Sequence, residues 1–335
     1  MKKMGEIFMP SERPRRNRRS AAIRELLAET CLTSSHLIYP VFVCEGKSVE
    51  EPIKTLPGQS RWSVDLLSKQ ISEWKKMGLK HYALFPKIEE KLKDPYGKES
   101  QNENGLLART IKTLKDAHPD IVLYGDVALD PYSSDGHDGI VRKNKNGVIE
   151  ILNDESVELL AKMALKQAEW GADWVAPSDM MDGRIGAIRT LLDQHGYTDT
   201  GILAYSAKYA SSFYGPFREA LDSAPKAGDK KTYQMDPRNH REALREVKLD
   251  VNEGADMVMV KPGLPYLDIL ADIKASVDVP VAVYNVSGEY AMIKFAALAG
   301  ALDEQAAMME CLISFRRAGA DAILTYFAPA AAKFL

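Results

Sequence analysis

From residue 37 onward the chain alternates short, continuously apolar runs with longer amphipathic segments, and it does so eight times. The runs lie at 37–44, 81–86, 121–129, 174–178, 202–208, 257–262, 280–286 and 323–327. Most lack the in–out alternation of a half-exposed strand, which is the pattern of parallel strands covered on both faces. The segments between them carry helical spacing. Residues 64–77 set Leu67, Ile71 and Trp74 on one face and end before Gly78. Segments 155–170, 238–253 and 303–318 stop at Gly171, Gly254 and Gly319. Each of those three glycines opens a Gly-Ala-Asp triplet. Glycine ends a helix in the left-handed conformation at little cost, so the repeat marks architecture and not a site.

Eight strand–helix units allow a closed barrel or an open doubly wound sheet. The chain contains neither a GxGxxG nor a GxxxxGK[ST] pattern, and no composition break divides its 335 residues. The expected fold is therefore of the α/β class, a single (β/α)₈ TIM barrel over 37–335. Two segments fall outside the minimal barrel. Residues 1–36 precede the first strand and carry Arg13, Arg15, Arg16, Arg18 and Arg19. The formal net charge of the chain is −3, so this arm is expected to serve subunit contacts, with neither nucleic acid nor membrane as a partner. Residues 209–236, after the fifth strand, form a loop too long for a simple connection and are expected to act as an active-site lid.

Hydrophobic residues make up 45% and charged residues 27% of the chain, as in ordinary globular proteins. No apolar run approaches the ~20 residues of a membrane span. Cys31, Cys44 and Cys311 are scattered without a CxxC pair, and the basic N-terminus is not followed by an apolar stretch of signal-peptide type. These features lead to the expectation of a cytoplasmic enzyme.

In such barrels, chemistry sits at the C-terminal ends of the strands. There the fifth and sixth runs end in Lys208 and Lys261. Lysine is seldom buried, and two ammonium groups on neighbouring strands disfavour each other's charge. Both effects favour a neutral amine able to attack a carbonyl; a single lysine would serve equally well as an anion anchor. The third run leads into DVALDPYSSDGHDG, with Asp126, Asp130, Asp135, Asp138 and His137. These residues suit a Mg²⁺ or monovalent-cation site, a clamp for a substrate ammonium, or a turn that caps its own backbone. The lid offers Arg218, Lys230 and Gln234 with Tyr214 and Phe217 beside them, donors suited to a substrate carboxylate. No HExxH or metal-spaced His/Cys cluster occurs, so catalytic zinc is not supported. A class I aldolase-type Schiff-base barrel and a non-catalytic scaffold remain open on these residues.

Four longer motifs narrow the choice: YSAKYASSFYGPFR around Lys208, MVMVKPGLPYLD around Lys261, YNVSGEYAM around Ser287 and VAPSDMMDGR around Asp179. From about Arg13 to the C-terminus the chain resembles the porphobilinogen synthase (5-aminolevulinate dehydratase) family. The resemblance implies a lyase of tetrapyrrole (heme and chlorophyll) synthesis that condenses two 5-aminolevulinates through imines, Lys208 serving the A-side substrate and Lys261 the P-side substrate. Ser287 and Tyr326 would hold the P-side carboxylate, and Arg218, Lys230 and Gln234 the A-side carboxylate. Asp126, Ser178, Tyr214, Phe217 and Tyr284 would complete the substrate-binding set. Zinc-dependent members carry three cysteines where this chain has Ala128, Asp130 and Asp138, so the expected branch lacks catalytic zinc. Asp130 and Asp138 would meet the A-side ammonium directly or through a hydrated cation. Glu246 would bind an allosteric Mg²⁺ through water, and the assembly would be a homo-octamer.

Overall fold

The computed structural model describes residues 12–335, which fall into two compact units meeting between Cys31 and Leu32. The expected arm at 1–36 thus extends beyond the first unit, and its residues 1–11 lie outside the described residues. In the first unit a short 3₁₀ turn, Pro14–Arg18, precedes the helix Ala21–Leu26. Ser20 caps that helix by accepting from the Ile23 amide, and none of its residues is buried.

In the second unit the eight expected runs become eight parallel strands: β1 Leu37–Cys44, β2 His81–Pro86, β3 Val122–Val127, β4 Trp174–Pro177, β5 Gly201–Lys208, β6 Met257–Lys261, β7 Val281–Asn285 and β8 Ala322–Thr325. Each pairs with the next, and β8 returns to β1 through Leu37↔Ile323 and Ile38↔Leu324, closing the barrel. All eight residues of β1 are buried, which accounts for its unbroken apolar run.

The Gly-Ala-Asp triplets act at the bottom of this barrel. Asp173, Asp256 and Asp321 each exchange two bonds with the preceding strand. Their amides donate to the carbonyls of Leu123, Ile202 and Val281, and their carboxylates accept from the amides of the same residues. The short side chain thus ties each new strand to its neighbour as the helix ends.

The surrounding helices follow the predicted periodicity, and Leu67, Ile71 and Trp74 are the buried residues of Val64–Lys76. The helix expected at 238–253 begins later, at Arg241. Asp236 accepts from the Arg238 amide at 2.9 Å and closes a turn there, so the first residues are held out of the helix. Two hairpins and a helix were not anticipated. Glu50–Pro52 pairs with Ser60–Ser63 beside the end of β1, and Ile140–Lys143 pairs with Ile149–Leu152 after the Asp-rich segment. The lid is not a plain loop: it contains the helix Gly215–Leu221.

Candidate active site

The β5–β6 ladder sets Lys208 directly against Lys261. One extra residue is accommodated in β5, because Ala204 and Ala207 oppose Val258 and Val260. Strict alternation would send Tyr205 and Lys208 to opposite faces; the bulge reverses the parity and lets both face the barrel mouth. Lys208 Nζ donates to Asp138 Oδ2 at 3.0 Å and to the Ser178 carbonyl. Lys261 Nζ has no ion-pair partner among the described residues. It lies instead among aromatic rings, 4.8 Å from the centroid of Tyr284, 4.9 Å from Tyr205, 5.1 Å from Tyr214 and 5.4 Å from Phe217. Burial, then the Lys208 charge, pushes the Lys261 amine down to about 7, against the opposing pull of Asp126, Asp138 and Asp130. The two registered lysines therefore differ: one is ion-paired, and the other is poised to lose its proton near neutrality.

Three carboxylates of the Asp-rich segment converge on these amines. Asp138 is only 1% exposed and accepts from both Lys208 and Lys230, the latter at 2.5 Å. Burial alone would raise its pKa, but the two ammonium groups outweigh burial and hold it well below the usual carboxylate range. Asp130 takes a second bond from Lys230 at 3.1 Å. Asp126 has an Oδ1 atom buried without a hydrogen-bond partner. Burial first, and Asp130 second, pushes its carboxyl up to about 7, while Ser178 and the two lysines act in the other direction. The chain reaches this arrangement because the β3 ladder stops at Val127 and the Leu129 amide turns to the Asp138 carbonyl.

Residues of the segment expected as a lid pack against Lys261. The Tyr214 hydroxyl donates to the carbonyls of Tyr209 and Lys261. Ser287 Oγ accepts from the Phe217 amide at 3.0 Å and donates to the Phe213 carbonyl. At Gly288 a β-carbon would lie 2.6 Å from that same carbonyl oxygen, so only glycine permits the approach. Arg61, on the first hairpin, holds the far end of the lid helix by donating to the carbonyls of Ala220 and Glu219. His137 joins the Asp-rich segment to the lid. Its Nε2 donates to the Ala227 carbonyl at 2.9 Å, which leaves Nδ1 to accept from the Tyr233 hydroxyl.

The expected residues thus divide into two groups. Lys208, Lys261, Asp126, Asp130, Asp138, Ser178, Tyr214, Phe217, Lys230, Ser287 and Tyr284 are joined by these contacts, and Tyr326 joins them through a 2.9 Å hydroxyl contact with Tyr284. Gln234 is buried with its Oε1 unpartnered, and Arg218 is half-buried on the lid helix. Glu246 does not contact the two lysines; it borders a cavity of about 360 Å³ with Asp182, Arg184 and Asp250, and also one of about 570 Å³ that Gln234 lines. Burial first, then the charges of Asp250 and Asp182, raises its carboxyl pKa. Sequence reasoning missed Tyr205, whose orientation depends on the bulge, and Arg61, which lies far from the lid in the chain.

The chain matches the family described as "ALAD: Delta-aminolevulinic acid dehydratase" over residues 11–334. It is 55% identical to the chloroplastic delta-aminolevulinic acid dehydratase of Glycine max, covering 99% of this chain and 81% of that one. It is 56% identical to the chloroplastic enzyme of Hordeum vulgare, covering 95% and 73% respectively. A solved structure of delta-aminolevulinic acid dehydratase (porphobilinogen synthase) from Toxoplasma gondii ME49, in complex with the reaction product porphobilinogen, superposes with a TM-score of 0.94. That structure is 55% identical, with 97% of this chain and 92% of that chain covered. These comparisons overturn one expectation: the curated relatives are named chloroplastic, which points to a plastid and not to the cytoplasm. Scattered cysteines and a mild net charge constrain redox state and partners, but they are equally compatible with either compartment.

Proposed function

The chain belongs to the delta-aminolevulinic acid dehydratase family, and we propose that its two registered lysines carry the condensation of two 5-aminolevulinates into porphobilinogen. The single observation that carries this reading is the pair itself: Lys208 opposite Lys261 at the mouth of a closed barrel, with the Lys261 amine pushed down to about 7. A neutral amine attacks the ketone of the P-side substrate, and loss of water leaves an imine. Lys208 forms the matching imine with the A-side substrate. Each iminium acts as an electron sink for the C–C and C–N bonds that join the two molecules. The P-side amine adds to the A-side imine carbon and expels Lys208, and C–C bond formation at the P-side imine carbon is followed by elimination of Lys261. With the two waters lost on imine formation, two substrates give one pyrrole and two waters. Asp126, with an unpartnered oxygen and a carboxyl pushed up to about 7, is suited to accept and return protons between the two amines.

The substrate contacts follow from exchange. In this structure the Lys230 ammonium bridges Asp130 and Asp138, which supports a role for the two carboxylates in holding the A-side ammonium. A substrate ammonium at that position would free Lys230 to meet the A-side carboxylate together with Arg218 and Gln234. A monovalent cation or Mg²⁺ near Asp130 and Asp138 would have to displace the same ammonium. Ser287 and Tyr326 would take the P-side carboxylate, with Ser178, Tyr214, Phe217 and Tyr284 lining the site. The seated lid excludes water, which protects hydrolysable imines.

Ala128, Asp130 and Asp138 offer no thiolate, so their chemistry does not suit a catalytic zinc. Glu246 fits a hydrated Mg²⁺: Asp182, Asp250 and Glu253 line the same cavity, and a cation there would offset their charge. Burial first, then Asp250 and Asp182, raises the Glu246 pKa, with Arg184 acting in the other direction. Mg²⁺ there would supply charge compensation at an allosteric site and would not touch substrate. The N-terminal arm is assigned to subunit contacts in a homo-octamer, which the 82% exposure of Leu26 supports.

Borohydride reduction in the presence of labelled 5-aminolevulinate tests the assignment. Label is expected on Lys208 and Lys261, and Lys261→Ala should lower turnover by at least roughly 10³-fold. Wild-type protein that makes porphobilinogen without label on either lysine would overturn it.

A further inference from the structure

Glu289 is fully buried and, among the described residues, has no cation against it. Its four contacts are all N–H donors: Oε1 accepts from the amides of Gly263 at 3.0 Å and Leu264 at 2.7 Å, and Oε2 from the Val286 amide at 2.8 Å and Asn285 Nδ2 at 3.1 Å. The first two lie just after Lys261, and the last two lie just before Ser287. The network continues, because Asn285 Oδ1 accepts from Thr325 Oγ1 at 2.9 Å, and that oxygen accepts from the Phe327 amide at 3.1 Å. One chain of bonds therefore crosses the ends of β6, β7 and β8, next to Lys261, Ser287 and Tyr326 in turn.

A purely local reading is available. Glu289 is the third residue of the helix Ser287–Leu298, where a glutamate ordinarily reaches back to the N-cap amide. That accounts for the Val286 bond alone. The other three leave the helix, and two of them cross to another strand end. Burial opposes the charged form and pushes this carboxyl up to about 7, while the four donors act in the opposite direction. An uncompensated buried carboxylate is tolerated only where such bonds are complete. The loop it grips is also tightly packed: a β-carbon on Gly263 would lie 2.4 Å from the Phe315 ring.

We propose that Glu289 is a positioning residue for the P-side half of the active site, fixing the Lys261 backbone against the strand ends that carry Ser287 and Tyr326. It touches no substrate in this role. The inference rests on the imine assignment of Lys261 given above. A substrate anchored through its carboxylate meets the Lys261 amine at attack distance only if the two strand ends keep their separation, and misplacement by about 1 Å can cost 10²-fold.

The test compares wild type, Glu289→Gln and Thr325→Val, each checked for folding by thermal unfolding and then trapped with borohydride and labelled 5-aminolevulinate. Glutamine keeps the volume but turns an NH₂ toward one pair of N–H donors, breaking half of the clamp. Folded E289Q is expected to lose label at Lys261 relative to Lys208 by at least about tenfold, with a fall in kcat larger than any rise in KM. T325V leaves the glutamate intact and unbraces Asn285, so a smaller change in the same ratio is expected. A wild-type labelling ratio in folded E289Q overturns the proposal, and if E289Q does not fold, an unchanged ratio in T325V does so. Wild-type protein that takes no label at either lysine overturns the imine assignment instead, which separates the two failures.

Discussion

Lys230 of the lid donates to Asp138 at 2.5 Å, so the lid closes onto the same carboxylate that pairs with Lys208. The placement of residues 209–236 and the electrostatics around Lys208 are thereby linked. Displacing Lys230 would take one of two cations from Asp138.

Replacing Lys230 with methionine should expose this coupling. Removing one member of a buried ion pair costs about 3–5 kcal/mol, and here the loss falls on the lid because Asp130 and Asp138 stay in the barrel. Faster amide exchange across residues 223–236 is expected, with exchange in the barrel strands unchanged. Identical lid exchange in the variant would refute the coupling.

The pH dependence follows from Lys261 and Asp126. With the amine pushed down to about 7, acid protonates it and removes the nucleophile. Asp126, pushed up to about 7, loses its capacity to accept a proton over the same range. kcat/KM should therefore fall as pH drops through 7, with a slope of about tenfold per unit or steeper well below it. A profile flat from pH 8 to about 5.5 would contradict a depressed lysine.

Arg61→Met should loosen the lid from its other end. Methionine keeps the apolar stem but loses the guanidinium that donates to the Ala220 and Glu219 carbonyls and pairs with Glu51, charged hydrogen bonds worth about 1.5–3 kcal/mol each. Limited proteolysis is expected to nick residues 209–236 sooner, with KM raised about tenfold. Unchanged nicking would show that the lid helix is held elsewhere.

Gly288→Ala places a methyl group within 2.6 Å of the Phe213 carbonyl oxygen. The backbone on both sides has little room, so an overpacking cost of about 1–3 kcal/mol is expected. The barrel should unfold at nearly the wild-type temperature, while turnover falls because the lid seats poorly. Full turnover in this variant would mean that the Ser287–Phe213 contact is not needed in the closed site.

Glu246→Gln removes the charge that the proposed Mg²⁺ site needs. Titrating Mg²⁺ into metal-depleted protein should raise the rate of wild type and leave the variant's rate flat. An equal response in both proteins would move the site elsewhere.

The barrel strands were legible in the sequence because burial on both faces leaves a local signature, an unbroken apolar run. The two lysines were legible for the same reason, as cations terminating such runs. The helix expected from residue 238 was misplaced at its start because one side chain, Asp236, redirects the turn. The hairpins at 50–63 and 140–152 gave no comparable signal, since their strands are short and partly exposed.

Sequence periodicity therefore settled which residues form the wall of the barrel and which lysines stand at its mouth. It could not say that Tyr205 shares their face, because a one-residue bulge inverts the parity on which such reasoning depends. Nor could it place Lys230 on Asp138, 92 residues away in the chain, or Glu289 on the loop after Lys261. Those contacts come from register and closure. Where strands lie next to each other is decided by how the whole barrel packs, and a buried charge finds its partners only after that geometry exists.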